Sequence, residues 1–213
     1  MKLIFLGPPG SGKGTQAKII ASQINAKHIS TGDILREAAA AGTDLGLKAK
    51  KYMDAGDLVP DDVLLGLVEE VLSDDGISKS FILDGFPRTI PQTKGLVEIF
   101  DKLNIKFDSS ILLDVPDDAI VDRLSARMFC ANCKADFNLK TKPPKTEGIC
   151  DKCGGILVQR DDDKKEVIEN RLKVYHEITE PIVEFYDKLG VLKRIPGDRG
   201  FDEITQDILN AVS

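Results

Sequence analysis

Tryptophan is absent from the 213 residues, and histidine occurs only twice, as His28 and His176. Chemistry that needs a histidine-centred triad has almost no material to work with, and both histidines read as structural. Aromatic residues make up only 6% of the chain, too few for the stacking platforms that single-stranded nucleic acids need. Positive charge is short as well. Lys plus Arg is 29 against 35 for Asp plus Glu, a formal net charge of −6, which argues against general nucleic-acid binding. No apolar run approaches the ~20 residues of a membrane span. The opening Met1–Leu6 stretch runs into Gly7-Pro8-Pro9-Gly10 and is too short for the core of a secretion signal. A cytoplasmic chain with no nucleic-acid or membrane partner is expected. What remains is 42% hydrophobic and 30% charged, the composition of a globular domain with a sizeable core.

The four cysteines are not scattered. Cys130 and Cys133 form one C-x2-C pair, and Cys150 and Cys153 form a second. That spacing suits a four-thiolate zinc site. Disulfides are disfavoured in a reducing compartment, and neither pair sits at a strand-to-helix junction as a thioredoxin-type motif would. Four thiolates leave no open coordination position, so this zinc is expected to be structural, one per chain.

Short runs of Ile, Leu, Val and Phe alternate with longer amphipathic stretches. Strands are expected at Lys2–Leu6, Phe81–Leu83, Ser110–Val115 and Val191–Ile195, with a weaker one near His28–Ile29. Helices are expected at Thr15–Ile24, Asp61–Leu72, Pro91–Leu103, Asp117–Met128, Lys164–Leu189 and Phe201–Val212, with Pro181 kinking the long one. Such alternation predicts an α/β fold with a five-stranded parallel sheet covered on both faces. Two regions break it. Ser30–Val59 is helical in pattern with no strand partner, and Phe129–Asp163 holds the cysteines with little apolar content. The latter is expected to need its metal to fold.

Gly7-Pro8-Pro9-Gly10-Ser11-Gly12-Lys13-Gly14-Thr15 follows the first strand and opens a helix. It matches G-x4-G-K, although Gly14 intervenes before Thr15. Glycines let backbone N–H groups turn toward phosphate oxygens, the helix start adds partial positive charge, and Lys13 supplies a full one. Asp84, at the end of a core strand, suits Mg²⁺ held through water beside a triphosphate. Taken alone it is as readily a turn residue, but Gly85-Phe86-Pro87-Arg88 then presents a guanidinium at the same sheet edge.

The glycine loop, Ser30-Thr31-Gly32-Asp33 with Arg36, and Leu83-Asp84-Gly85-Phe86-Pro87-Arg88 with Gln92 together resemble adenylate kinases. The cysteine insert resembles that family's long form, with a zinc-bearing lid. The likeness runs from Met1 to about Gly200. It implies a phosphate-loop core at 1–29, 60–127 and 164–213, an AMP-binding flap at 30–59 and a lid at 128–163. It implies the reaction MgATP + AMP ⇌ MgADP + ADP in a monomer that binds ATP, AMP and ADP. Gly10, Ser11, Gly12, Lys13, Gly14 and Thr15 would bind ATP phosphates. Arg123 would stack on the ATP adenine, and Arg127 would grip phosphate. Thr31, Arg36, Asp57, Leu58, Val59, Gly85, Phe86, Pro87, Arg88 and Gln92, with Arg160 and Arg171, would form the AMP site. Arg160 and Arg171 would close on the phosphates, oriented by Asp162 and Asp163. Arg199 aligns with a position whose backbone meets adenine. The catalytic set would be Lys13, Arg88, Arg127, Arg160 and Arg171.

Phosphoryl transfer asks for in-line positioning and positive charge rather than acid–base groups, which suits a chain poor in histidine and provided with arginines at loop and helix ends. Any one of those arginines, alone, reads as a solvated surface residue. Planar guanidinium forks suit phosphate oxygens better than lysine does. A kinase for UMP or CMP is a close alternative. A phosphate-loop regulator whose zinc ribbon binds RNA or protein is a more distant one. Against it, residues 129–163 carry six cations and six acids, with no basic patch.

Overall fold

The computed structural model describes residues 1–212. Its main sheet has five strands: β1 (Lys2–Leu6), β2 (Lys27–Ser30), β3 (Phe81–Asp84), β4 (Ser109–Asp114) and β8 (Leu192–Pro196). The order is β2-β3-β1-β4-β8, and every neighbouring pair is parallel. Central β1 pairs Phe5 with Asp84 on one side and with Ile111 on the other.

A parallel sheet needs cover on both faces, and alternating side chains supply two cores. Ile4, Leu6, Phe81 and Leu83 point into the larger core. Leu3, Phe5, Ile82, Ile111 and Leu113 point into the other. Helices α1 (Lys13–Gln23) and α10 (Phe201–Val212) cover that second face with Ala17, Ile20, Ile204 and Ile208. Helices α4 (Asp61–Leu72), α6 (Ile90–Lys102) and α9 (Pro181–Lys188) cover the first with Leu64, Val68, Leu72, Leu96, Ile99 and Ile182. A single turn, α5 (Asp75–Ser78), leads into β3.

Residues 30–59 fold as a helical hairpin, α2 (Thr31–Ala40) and α3 (Asp44–Ala55). Ser30 Oγ caps α2 by accepting from the Asp33 N–H, and Thr43 Oγ1 caps α3 by accepting from Gly46. Gly46 is required for the close approach of the two helices, because a Cβ there would lie 2.1 Å from the Ala38 carbonyl carbon. The cysteine region is a small antiparallel sheet, β5 (Arg127–Cys130), β6 (Asp136–Asn138) and β7 (Leu157–Val158), in the order β6-β5-β7. Its core is Cys130, Phe137, Cys150 and Leu157, so half of it is thiol.

Two expectations are corrected. The helix predicted over Asp117–Met128 is α7 (Asp117–Ser125), and Arg127 and Met128 already belong to β5. Met128 pairs with Phe137, and the Leu139 N–H reaches back to the Ala126 carbonyl at 2.9 Å. Strand pairing there overrides helical propensity. The long helix predicted over Lys164–Leu189 is divided into α8 (Lys165–Val174), a wide π-turn at Tyr175–Thr179, and α9. Pro181 has no N–H to give to the preceding turn, and the Glu180 N–H instead reaches Tyr175 at 2.7 Å.

One buried group in the sheet has no partner among the described residues, the hydroxyl of Ser110 on β4. Burying a hydroxyl without a hydrogen bond costs about 1–3 kcal/mol. Ser110→Ala is therefore expected to raise stability by about 1 kcal/mol, or Tm by ~2–4 °C, measured by thermal and urea unfolding. A lower Tm would show that the hydroxyl is satisfied.

Candidate active site

The glycine loop leaves the carboxyl end of β1, the edge where open α/β sheets bind ligands. Gly10 sits at φ 78°, in the left-handed region, and a Cβ would lie 2.7 Å from Leu124 Cγ, so glycine is needed twice over. Gly12 caps α1 without a side-chain acceptor. The Thr15 and Gln16 N–H groups donate to the Gly12 carbonyl at 3.1 and 3.0 Å, and the N–H groups of Lys13 and Gly14 stand at the positive end of the helix. Lys13 Nζ turns back into the loop. It donates to the Gly7 carbonyl at 2.7 Å, the Pro8 carbonyl at 2.6 Å and Ser11 Oγ at 3.3 Å. Burial pulls its pKa down to about 7, and the nearby Arg88, Arg171 and Arg127 push the same way against Asp84.

Asp84 lies beside the loop, its Oδ2 only 3.1 Å from where a Gly14 Cβ would stand. It is nearly buried and faces His28 Nε2 at 3.2 Å. Arg88 follows the cis Phe86–Pro87 bond and donates through Nε to the Gly85 carbonyl at 2.7 Å. Burial lowers the Arg88 pKa, and Arg36 adds to this against Asp84 and Asp162. Phe86 itself is fully buried in the core, which leaves its backbone as the part that can meet a ligand.

Arg127 and Arg171 are set by one carboxylate. Asp163, with its side chain fully buried, accepts from Arg127 Nε at 2.7 Å and Nη2 at 2.6 Å, and from Arg171 Nη1 at 3.2 Å. Burial would lower the Arg127 pKa, but this fork outweighs it and holds it raised. Arg171 also donates to the Asp162 carbonyl at 2.8 Å, and its guanidinium lies 3.2 Å from the Asp162 carboxylate. Burial would raise the Asp162 pKa, yet Arg171, Arg127, Arg36 and Arg160 together lower it. Arg160 rests 5.4 Å over the Phe129 ring, and the field of Arg127 and Arg36 reaches it.

On the other side of the cleft, Thr31 Oγ1 donates to the Gly85 carbonyl at 3.1 Å, and Arg36 pairs with Asp33 at 2.6 Å. Gln92 is fully buried. Its Oε1 accepts from the Arg88 N–H, and its Nε2 donates to Asp61 at 2.7 Å, which uses one of its lone pairs and one of its two N–H donors. Asp57 accepts from Asn170 at 2.9 Å, Leu58 is half-buried, and Val59 packs in the larger core. Arg123 reaches the Ser11 carbonyl at 3.5 Å, beside the glycine loop. Thr15 is exposed on the first turn of α1. The Arg199 side chain is not brought into the cleft; it pairs with Asp207 on α10.

The four cysteine sulfurs lie within 4.8 Å of one another. The Cys130–Cys153 and Cys133–Cys150 contacts are 3.4 and 3.5 Å, close to the ~3.8 Å edge of a tetrahedron built on 2.3 Å Zn–S bonds. Backbone N–H groups of Cys133 and Lys152 point at the Cys130 and Cys150 sulfurs. The Cys133 N–H draws the Cys130 thiol down to about 6. For Cys133 the Ala135 N–H acts in the opposite sense to Cys153, burial and the other thiols, which push it up to about 12. Four sulfurs this close together form a donor set of the size a tetrahedral thiolate site needs.

A family model described as adenylate kinase matches residues 5–191. The chain belongs to the adenylate kinase family. It is 50% identical to an adenylate kinase of Methanocella arvoryzae over 212 residues, 100% of this chain and 98% of that protein. It is also 50% identical to adenylate kinases of Archaeoglobus fulgidus, over 98% of this chain and 96% of the relative, and of Agathobacter rectalis, over 98% of each.

For a member of the adenylate kinase family, sequence reasoning missed two supports of the site. His28 reads as structural in the sequence, and the β2–β3 register sets it opposite Ile82, diagonal to Asp84, which it faces at 3.2 Å. Asp61 holds both Gln92 and Thr89, at 2.7 and 3.1 Å, from a different helix. Neither contact has a sequence signal, since each depends on which strand or helix becomes the neighbour.

Proposed function

We propose that this chain transfers the γ-phosphoryl group of MgATP reversibly to AMP, giving two ADP. The observation that supports this best is the ring of cations around the glycine loop. Lys13 lies in the electrostatic field of Arg88, Arg127 and Arg171, and these come from three distant stretches of chain. Asp84, Asp162 and Asp163 offset part of that positive charge, and a phosphate beside Lys13 would offset more. A phosphate oxygen of AMP, held by Arg36 and Arg88, attacks the γ-phosphorus while the bond to the β–γ bridging oxygen breaks. Lys13, Arg127, Arg160 and Arg171 take up the charge that develops on the transferring oxygens. The loop amides from Gly10 to Thr15 hold the triphosphate, and Arg123 stacks on its adenine. Thr31, residues 57–59, Gly85–Arg88 and Gln92 seat AMP, and the backbone near Arg199 meets the ATP adenine. Asp84 fits Mg²⁺ held through water; when bound, Mg²⁺ neutralises charge on the β- and γ-phosphates. Residues 30–59 serve as a flap and 128–163 as a lid, and their closure excludes water from the γ-phosphoryl group. The protein acts as a cytoplasmic monomer.

A coupled assay for ADP from ATP, Mg²⁺ and AMP tests this. Initial rates with AMP are expected to exceed those with UMP or CMP. ADP formation no faster with AMP than without it would overturn the proposal.

Lys13 offers a second test. Burial lowers its pKa to about 7 in the free protein, against three acceptors that favour the charged form. Triphosphate beside it favours the charged form, so MgATP binding at pH 8 is expected to take up roughly one proton, and almost none at pH 6. Binding enthalpies in buffers of different ionisation enthalpy measure this. Lys13→Met should abolish the uptake, and zero uptake in the wild type would count against a phosphate role for Lys13.

The cysteine set would hold Zn²⁺, which when bound would offset two of the four thiolate charges and tie the two C-x2-C turns together. One zinc per chain is expected by mass spectrometry. Removing it should lower Tm and open the segment near Pro143-Pro144 to proteases, because the local core is half thiol. Part of the activity should survive at low temperature. A stripped protein with its lid fully folded but no activity would make the metal catalytic.

A further inference from the structure

Lys18 on α1 lies outside the cation ring, where three parts of the chain meet. Its Nζ is 3.6 Å from Oδ2 of Asp33 on α2 and 4.0 Å from Oδ2 of Asp136 on β6. Each carboxylate turns its other oxygen to an arginine. Asp33 Oδ1 accepts from Arg36 at 2.6 Å, and Asp136 Oδ1 from Arg160 at 3.5 Å. The charges therefore alternate in one chain: Arg36, Asp33, Lys18, Asp136, Arg160. It starts in the helical hairpin, crosses the core helix that follows the glycine loop, and ends in the small antiparallel sheet. Burial would raise the Asp33 pKa, but Arg36, Lys18 and Arg160 all act to lower it, so the members sense one another across the three parts.

The sign order carries the argument. Arg36 and Arg160 repel. Asp33 and Asp136 offset that repulsion but would repel each other if the cation between them were lost. We propose that Lys18 is a positioning residue that couples the two nucleotide sites, holding the Arg36 and Arg160 sides together through Asp33 and Asp136. This rests on the reading of residues 30–59, with Arg36, as the flap over AMP and of residues 128–163, with Arg160, as the lid over ATP. Lys18 touches no substrate. Its side chain is 51% exposed, so its hold is that of a solvated ion pair and fades with salt.

The test measures binding of a non-hydrolysable β,γ-imido analogue of MgATP by calorimetry, with and without saturating AMP. The ratio of the two dissociation constants is the coupling factor. In the wild type at low salt, AMP should tighten the analogue. Lys18→Met is expected to reduce the coupling factor about threefold to tenfold while changing affinity for the analogue alone by less than about twofold. Lys18→Arg should restore most of it, and Lys18→Glu should reduce it further. Asp136→Asn should act like Lys18→Met, and the double variant should be no worse than either. An unchanged factor in Lys18→Met with both nucleotides still bound would overturn the inference alone. Equal loss of single-ligand affinity and of coupling would mark a merely structural lysine and overturn it too. A wild type that bound neither nucleotide would overturn the parent assignment and this inference together.

Discussion

Lys13→Met is expected to fold and to lose about 10²–10³ in kcat, the ~3–4 kcal/mol that a preorganised charge on a transferring oxygen contributes. Methionine matches the length of the lysine stem but can neither donate nor carry charge. The lost contacts in the ligand-free loop are to the Gly7 and Pro8 carbonyls and Ser11 Oγ, at a part-buried mouth that water can fill. The fold should therefore lose little. With the lysine acting on the transition state as proposed, kcat should fall more than the KM for ATP rises. Single-turnover rates and thermal unfolding measure the two effects. A variant keeping more than about a tenth of wild-type kcat would remove Lys13 from the chemistry.

What could be read in the sequence was local. The apolar runs of β1, β3 and β4 are short and bounded by turn residues, so the parallel sheet follows from their pattern. The helices Asp61–Leu72 and Phe201–Val212 were legible at both ends because acidic first turns and a preceding proline or glycine mark their starts. The cysteine spacing carried its own geometry, and the structure brings all four sulfurs together. Convergence was not legible in the same way. Nothing local in Arg127 or Arg171 says that both reach Asp163, since that meeting depends on how β5 and α8 return to the core. Strand register, which puts His28 against Asp84, is a tertiary choice. The end of α7 at Ser125 is another: Arg127 and Met128 suit a helix, and only the partner strand β6 draws them out of it. The resemblance to adenylate kinases supplied the arginine set where propensity and periodicity could not.

Asp163 is where the site and the fold depend most on one side chain. Its carboxylate, fully enclosed, is the shared acceptor of two partly buried guanidinium groups, Arg127 at the start of the small sheet and Arg171 after it. Asp163→Ala leaves both cations without their principal partner, and breaking a buried ion pair from one side costs about 3–5 kcal/mol. The alanine variant is expected to lose stability on that scale and to lose kcat at least about a hundredfold, because both arginines lose the geometry that aims them at phosphate. Asp163→Asn keeps the shape and one acceptor oxygen and gives up the charge. It should fold at low temperature, which lets the kinetic effect be read apart from unfolding. In Asp163→Asn, kcat should fall by about tenfold or more, and the KM for AMP should change less than that for ATP, since Arg127 is assigned to the ATP side. Urea unfolding and initial rates at low temperature give both numbers. An asparagine variant with wild-type kcat, together with an alanine variant within about 1 kcal/mol of wild-type stability, would mean that neither arginine depends on Asp163 for its place.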